Sequence, residues 1–112
     1  MSDPDTPTYT MTIEILYFDG CPNHELLCER LPALLKVAGI ATEPTLLEIT
    51  TQQAAEQERF LGSPTLRVNG HDVEPGADDR TDYGMKCRVY RTPEGLTGLP
   101  ADRWILAALT TA

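Results

Sequence analysis

The sequence predicts an α/β domain, and three observations carry that prediction. Strand-like and helix-like segments follow the order β-α-β-α-β-β-α along the chain. A length of 112 residues allows one domain. Hydrophobic residues at 41% and charged residues at 23% are ordinary globular usage, so global disorder is not expected.

Each element has a local cause. Residues 1–11 are expected to be a flexible leader, with a single domain over 12–112. The first ten residues, MSDPDTPTYT, lack the basic and apolar regions of a signal peptide. No apolar run approaches the roughly 20 residues that span a bilayer, so a cytoplasmic protein is expected. Thr12 to Phe18 alternates and then turns continuously apolar, which suits a strand buried on both faces. Asp19-Gly20 is a turn pair, and Cys21-Pro22 leads into the next element. Asn23 to Ala38 places Leu27, Leu31, Leu34, Leu35 and Ala38 on one helical face, and Gly39 ends the helix. Pro32 lies inside it and is expected to kink it, because proline cannot donate to the Cys28 carbonyl.

Thr45 to Thr50 reads as a second strand and Thr51 to Phe60 as a short polar helix. Thr65 to Val68 alternates, Asn69-Gly70 is a strong hairpin signal, and His71 to Glu74 is the return strand. Residues 75–84 read as an acidic loop, Cys87 to Tyr90 as strand-like and Thr92 to Gly95 as a turn. Pro100 to Leu109 closes the chain as a helix with Trp104, Ile105, Ala108 and Leu109 on its apolar side. Leu26, Leu27, Leu31 and Trp104 are expected in the core.

Composition narrows function before any motif does. Nine Lys and Arg against 17 Asp and Glu give a net charge of −8. Nucleic-acid and anionic-membrane binders need a basic footprint, so neither partner is expected. Three cysteines are an odd number and too few for a secreted disulfide scaffold. The thiols are therefore expected to be reactive, metal-binding or buried.

Cys21 stands where a strand hands over to a helix. The amide groups and dipole of a helix start stabilise a thiolate, which is both the nucleophile and the soft-metal ligand. Asp19 opposes that ionisation. An inert, buried cysteine is the alternative. His24, one turn on, suits three roles beside a thiolate: holding its charge, moving a proton or sharing a metal; it also suits a plain solvent-facing residue. Cys28 lies seven residues beyond Cys21, about 10 Å along a helix, which exceeds the roughly 7 Å that a disulfide tolerates. With His24 it has the i, i+4 spacing of a metal pair, but packing is the expected role.

Cys87 lies between Lys86 and Arg88 with Arg91 beyond, the one basic island of the chain. Those cations are expected to lower its pKa or to grip an anion. The alternative is an edge-strand cysteine with solvated neighbours. His71 is expected as a hairpin residue. Asp72, Glu74, Asp78, Asp79 and Asp82 lack the spacing of a calcium loop and are expected as a solvated face.

The element order, Phe18-Asp19-Gly20-Cys21-Pro22 and Gly62-Ser63-Pro64-Thr65 together resemble the thioredoxin superfamily. The resemblance runs from about Ile13 to Leu109 and implies a central mixed sheet with helices on both faces. It also implies a cis-proline at Pro64 facing Cys21. More narrowly, Leu16 to Asn23 together with Cys87 to Pro93 is similar to small bacterial thioredoxin-like proteins sometimes labelled alkylmercury lyase. In those proteins an early Gly-Cys-Pro accompanies a late Cys-Arg-x-Tyr, which makes Cys87 a candidate partner for Cys21 if its segment returns beside the hairpin. The departure from thioredoxin is His24, which replaces the second thiol of Cys-x-x-Cys.

The expected function is thiol–disulfide exchange with a protein or small-molecule thiol, with Cys21 as nucleophile, Cys87 as candidate resolving thiol and Pro64 shaping the surface; if the two cysteines do not meet, a monothiol mode with an external resolving thiol is the alternative. Two alternatives stay open. One is a soft-metal (Hg or Zn) or organomercurial protein using Cys21, His24, Cys28 and Cys87, with Asp19 as the nearest proton donor. The other is a thioredoxin-fold interaction module without catalysis.

Overall fold

A computed structural model describes residues 11–111. The expected flexible leader falls outside these residues except for Met11, which packs against the core. The first strand, β1 (Ile13–Tyr17), is the centre of a four-stranded mixed sheet. It runs parallel to β2 (Thr45–Glu48), with Ile15 opposite Leu46. On its other side it is antiparallel to β3 (Thr65–Val68), with Ile15 opposite Leu66. Strand β3 turns through Asn69-Gly70 into β4 (His71–Asp72), completing the order β2-β1-β3-β4. Both turn residues have positive φ, 53° and 83°, the left-handed conformation that Asn-Gly accepts and most pairs resist.

Among the described residues, three α-helices cover the sheet. Helix α1 (Asn23–Ala38) connects the parallel strands, as such pairs require. It remains one helix through Pro32. Gly39 follows with φ 73°, the Gly39 N–H donates to the Lys36 carbonyl and the Ile40 N–H to the Leu35 carbonyl. These two bonds satisfy carbonyls that the helix end would otherwise orphan. Helix α2 (Gln52–Gln57) is capped by the Thr51 hydroxyl, which accepts from the Ala54 N–H at 3.0 Å. Helix α3 (Asp102–Thr111) is the last described element.

Alternation along β1 divides the core between the two faces of the sheet. Ile13 and Ile15 face one side and meet Leu27, Leu31, Leu34 and Leu35 of α1, Leu66 and Val68 of β3, and Ile105 and Leu109 of α3. Leu16 faces the other side and meets Ile49, Ala55 and Phe60. Leu26 leaves the expected core. It is 51% exposed while Leu27 is fully buried, because neighbouring residues of a helix point about 100° apart. Trp104 is only partly buried.

This contrast gives a simple test. Leu27→Ala is expected to cost about 2–5 kcal/mol by leaving a cavity, and Leu26→Ala less than about 0.5 kcal/mol. Urea midpoints of the two variants measure the difference.

The C-terminal third adds an element without a strand signal in the sequence. Strand β5 (Tyr90–Thr92) turns through Pro93-Glu94 into β6 (Gly95–Thr97), a separate two-stranded sheet. Cys87 itself belongs to no strand and makes a single parallel bridge to Ser63. Among the described residues, no helix is long and apolar enough to cross a membrane.

Candidate functional site

Strand β1 ends at Tyr17 and α1 begins at Asn23, so Cys21 occupies the turn between them. Its N–H donates to the Phe18 carbonyl at 3.3 Å, closing that turn. Cys21 and Cys87 form a disulfide across 66 residues, with their Cα atoms 5.7 Å apart. That separation lies within the range a disulfide bridges without moving the backbone.

The two half-cystines differ sharply in environment. Cys21 has 0% exposure, although Asp19, Gly20 and Pro22 around it are exposed. The sequence suggests an open corner, but Ser63 and Cys87 close over this side chain. Cys21 Sγ lies 3.7 Å from the Ser63 carbonyl oxygen. Cys87 is exposed.

Backbone bonds hold Cys87 in place. The Ser63 N–H donates to the Lys86 carbonyl at 2.8 Å, and the Arg88 N–H donates to the Ser63 carbonyl at 2.9 Å. The Ser63–Pro64 peptide is cis, and Pro64 is buried with its carbonyl accepting from the Tyr90 hydroxyl. Gly62 permits this approach. At its φ of 123° an added Cβ would lie 3.0 Å from both the Lys86 carbonyl and Arg88 Cβ. Gly62→Ala is therefore expected to cost more than about 1 kcal/mol and to weaken amide protection at Ser63 and Arg88. Hydrogen exchange measures that loss.

Arg88 changes the reading of the basic island. Its guanidinium is buried and donates to Asp72 at 2.7 and 3.1 Å, to Glu74 at 2.7 Å and to the Thr65 hydroxyl at 2.9 Å. It also lies over the Tyr90 ring, 4.4 Å from its centre. Burial opposes the charge of this group, but the surrounding acidic partners outweigh it and raise its pKa above the ordinary value. The Tyr90 phenol is pushed up by burial and stays protonated at neutral pH, so Tyr90 meets Arg88 as a ring face rather than as an anion.

Lys86 is likewise committed, donating to the Asp82 carboxylate at 2.8 Å. Arg80 donates to the same carboxylate at 2.7 Å, and Arg80 and Lys86 together hold Asp82 well below the usual carboxylate range. Arg88 is therefore committed inside the fold and Lys86 is paired at the surface, so the expected basic island is narrowed to Arg91, which remains exposed. The acidic set is corrected with it. Asp72 and Glu74 are counter-ions to a buried cation, and Asp82 pairs with two cations, while Asp78 and Asp79 remain exposed.

The remaining candidates do not converge on the sulfurs. His24 stacks on Tyr17 with ring centres 4.1 Å apart, and its Nδ1 lies 3.0 Å from the Cys21 carbonyl. A carbonyl can only accept, so that nitrogen carries the proton and anchors the ring to the backbone rather than to Sγ. Asp19 and His71 are exposed. Cys28 is free and half-buried against the α1 side of the core. Burial, and then Glu25, push its thiol above the ordinary value. A raised pKa leaves less thiolate at a given pH, so Cys28 is expected to alkylate with iodoacetamide at pH 8 more slowly than an unhindered thiol. Among the described residues, no three His, Cys, Asp or Glu side chains are grouped to hold a metal ion.

No family model, curated protein or solved structure matches the chain.

Proposed function

We propose that this protein is a thioredoxin-like thiol protein that exchanges its Cys21–Cys87 disulfide with protein or small-molecule thiols. The carrying observation is the bond itself, formed between a buried cysteine at a strand-to-helix turn and an exposed cysteine far along the chain. An exposed member gives an external thiolate a sulfur to reach, which exchange requires. The sheet order and the buried Pro64 beside the pair also suit a thioredoxin-like arrangement. The soft-metal alternative would rest on the same two sulfurs, with His24 held to the backbone and Cys28 set apart in the core.

Equilibration of the folded protein in glutathione buffers of graded ratio tests the proposal. Thiol counting with peptide mapping should show the pair passing reversibly between one disulfide and two thiols. A bond that opens only after the chain is denatured would mark a structural staple and overturn the reading.

A further inference from the structure

The geometry points to Cys87, not Cys21, as the sulfur through which exchange enters and leaves. This inference rests on the exchange reading above and assigns its direction within the pair. The position of Cys21 at the start of a helix favours it as the nucleophile on electrostatic grounds. Access decides otherwise. Exchange proceeds by attack of a thiolate on one chosen sulfur, so that sulfur must be reachable from outside. Cys21 has no exposed surface, whereas Cys87 is exposed.

The segment around Cys87 explains this asymmetry. From Cys87 to Tyr90 the chain alternates exposed, buried, exposed, buried. Arg88 and Tyr90 are its inward residues, fixed by the ion cluster and by the hydroxyl bond to Pro64, so Cys87 and Val89 stay on the outer side. Cys21 is covered by Ser63, whose carbonyl oxygen is an acceptor for a Cys21 S–H once the pair is reduced. That contact gives the reduced Cys21 thiol an acceptor inside the fold, whereas the Cys87 sulfur faces solvent.

The steps balance. In the oxidising direction a substrate thiolate attacks Cys87 Sγ, the Cys87–Cys21 bond breaks and Cys21 leaves as a thiolate that takes up a proton. A second thiolate of the same dithiol substrate then attacks its own sulfur in the mixed disulfide. The substrate leaves as a disulfide, oxidised by two electrons, and Cys87 is released as the second protein thiol. In the reducing direction the Cys87 thiolate attacks one sulfur of a substrate disulfide, the substrate S–S bond breaks and the first substrate thiolate leaves and takes up a proton. Cys21 then loses its proton and attacks Cys87 Sγ, re-forming the internal bond and releasing the second substrate thiolate.

Trapping on the natural pair tests this order. Oxidised protein is mixed with excess reduced glutathione, quenched in acid within seconds, and mapped by fragment mass spectrometry. Glutathione is expected on Cys87, in at least about tenfold excess over Cys21. Glutathione on Cys21 would overturn the assignment while leaving exchange intact. Attachment to neither cysteine, with the bond unopened, would overturn both the assignment and the exchange reading.

Single-thiol variants give an independent measurement, with Cys28→Ser in each background. The Cys21→Ser protein should react with 5,5′-dithiobis(2-nitrobenzoic acid) at least about tenfold faster than the Cys87→Ser protein. In denaturant the two rates should converge, which identifies folding as the source of the difference. A faster Cys87→Ser protein under native conditions would overturn the proposal.

Discussion

Arg88→Ala is expected to destabilise the protein by about 3–5 kcal/mol, among the largest effects of any single substitution here. The reason is what it leaves behind. Asp72 and Glu74 would keep their charges beside Thr65 and Tyr90, with the cation that answers them removed. Arg80 still reaches Glu74 at 3.3 Å, but among the described residues Asp72 pairs with Arg88 alone. Small domains have roughly 5–15 kcal/mol of stability in total, so this variant should lie close to unfolding. Arg88→Lys should recover only part of the loss, because one ammonium cannot bond two carboxylates and lie flat on a ring. Removing Asp72 and Glu74 together with Arg88 should shrink the deficit, since no buried charge is then stranded. Urea unfolding measures all three variants, and a loss below about 1 kcal/mol for Arg88→Ala would contradict the account.

The second large effect is that of opening the disulfide. A cross-link between residues 66 apart removes much of the freedom of the unfolded chain. A loop of that size is worth about 2–4 kcal/mol, so reduction should lower Tm by about 10–25 °C. Thermal scans with and without dithiothreitol measure it directly, and coincident curves would show that the bond adds nothing. The same energy appears in the redox chemistry. A bond that stabilises the fold is in turn stabilised by it, so urea should make the pair easier to reduce.

Much of the frame was legible in local sequence. The helix Asn23–Ala38 and its Gly39 stop follow from the apolar spacing and from the one residue that accepts φ 73° without cost. The Asn69-Gly70 turn and the strand before it were equally plain. Strand β6 was not, because Gly95, Leu96 and Thr97 are all exposed and show no buried face. Its pairing with Tyr90–Thr92 is a hairpin set by the intervening turn, not by a hydrophobic pattern.

The site was legible by halves. Cys21 and Cys87 stand out as residues, but their pairing entered through resemblance, because 66 residues of chain hide it from any local rule. The charges were misjudged for a related reason. Counting neighbours in sequence made Lys86 and Arg88 a free basic patch, whereas partners that fold against them decide whether a charge is free. A usable signal lay in the alternation of Cys87-Arg88-Val89-Tyr90. If Tyr90 is inward, Arg88 is inward too, and a buried arginine requires carboxylates. The burial of Cys21 had no such signal, since it depends on how closely Gly62-Ser63 approaches the Lys86–Arg88 backbone.

The bridge at Ser63 has a kinetic consequence. Both of its backbone bonds fall on the residues flanking Cys87, and neither depends on the sulfur–sulfur bond. When that bond opens, the two thiols remain neighbours, so each meets the other at an effective concentration far above that of any thiol in solution. Closure of the ring is then the fastest fate of a mixed disulfide, and covalent intermediates with partners should be short-lived in the natural protein. Replacement of the inner thiol removes that fate, so Cys21→Ser is the form in which a physiological partner would stay attached long enough to be isolated.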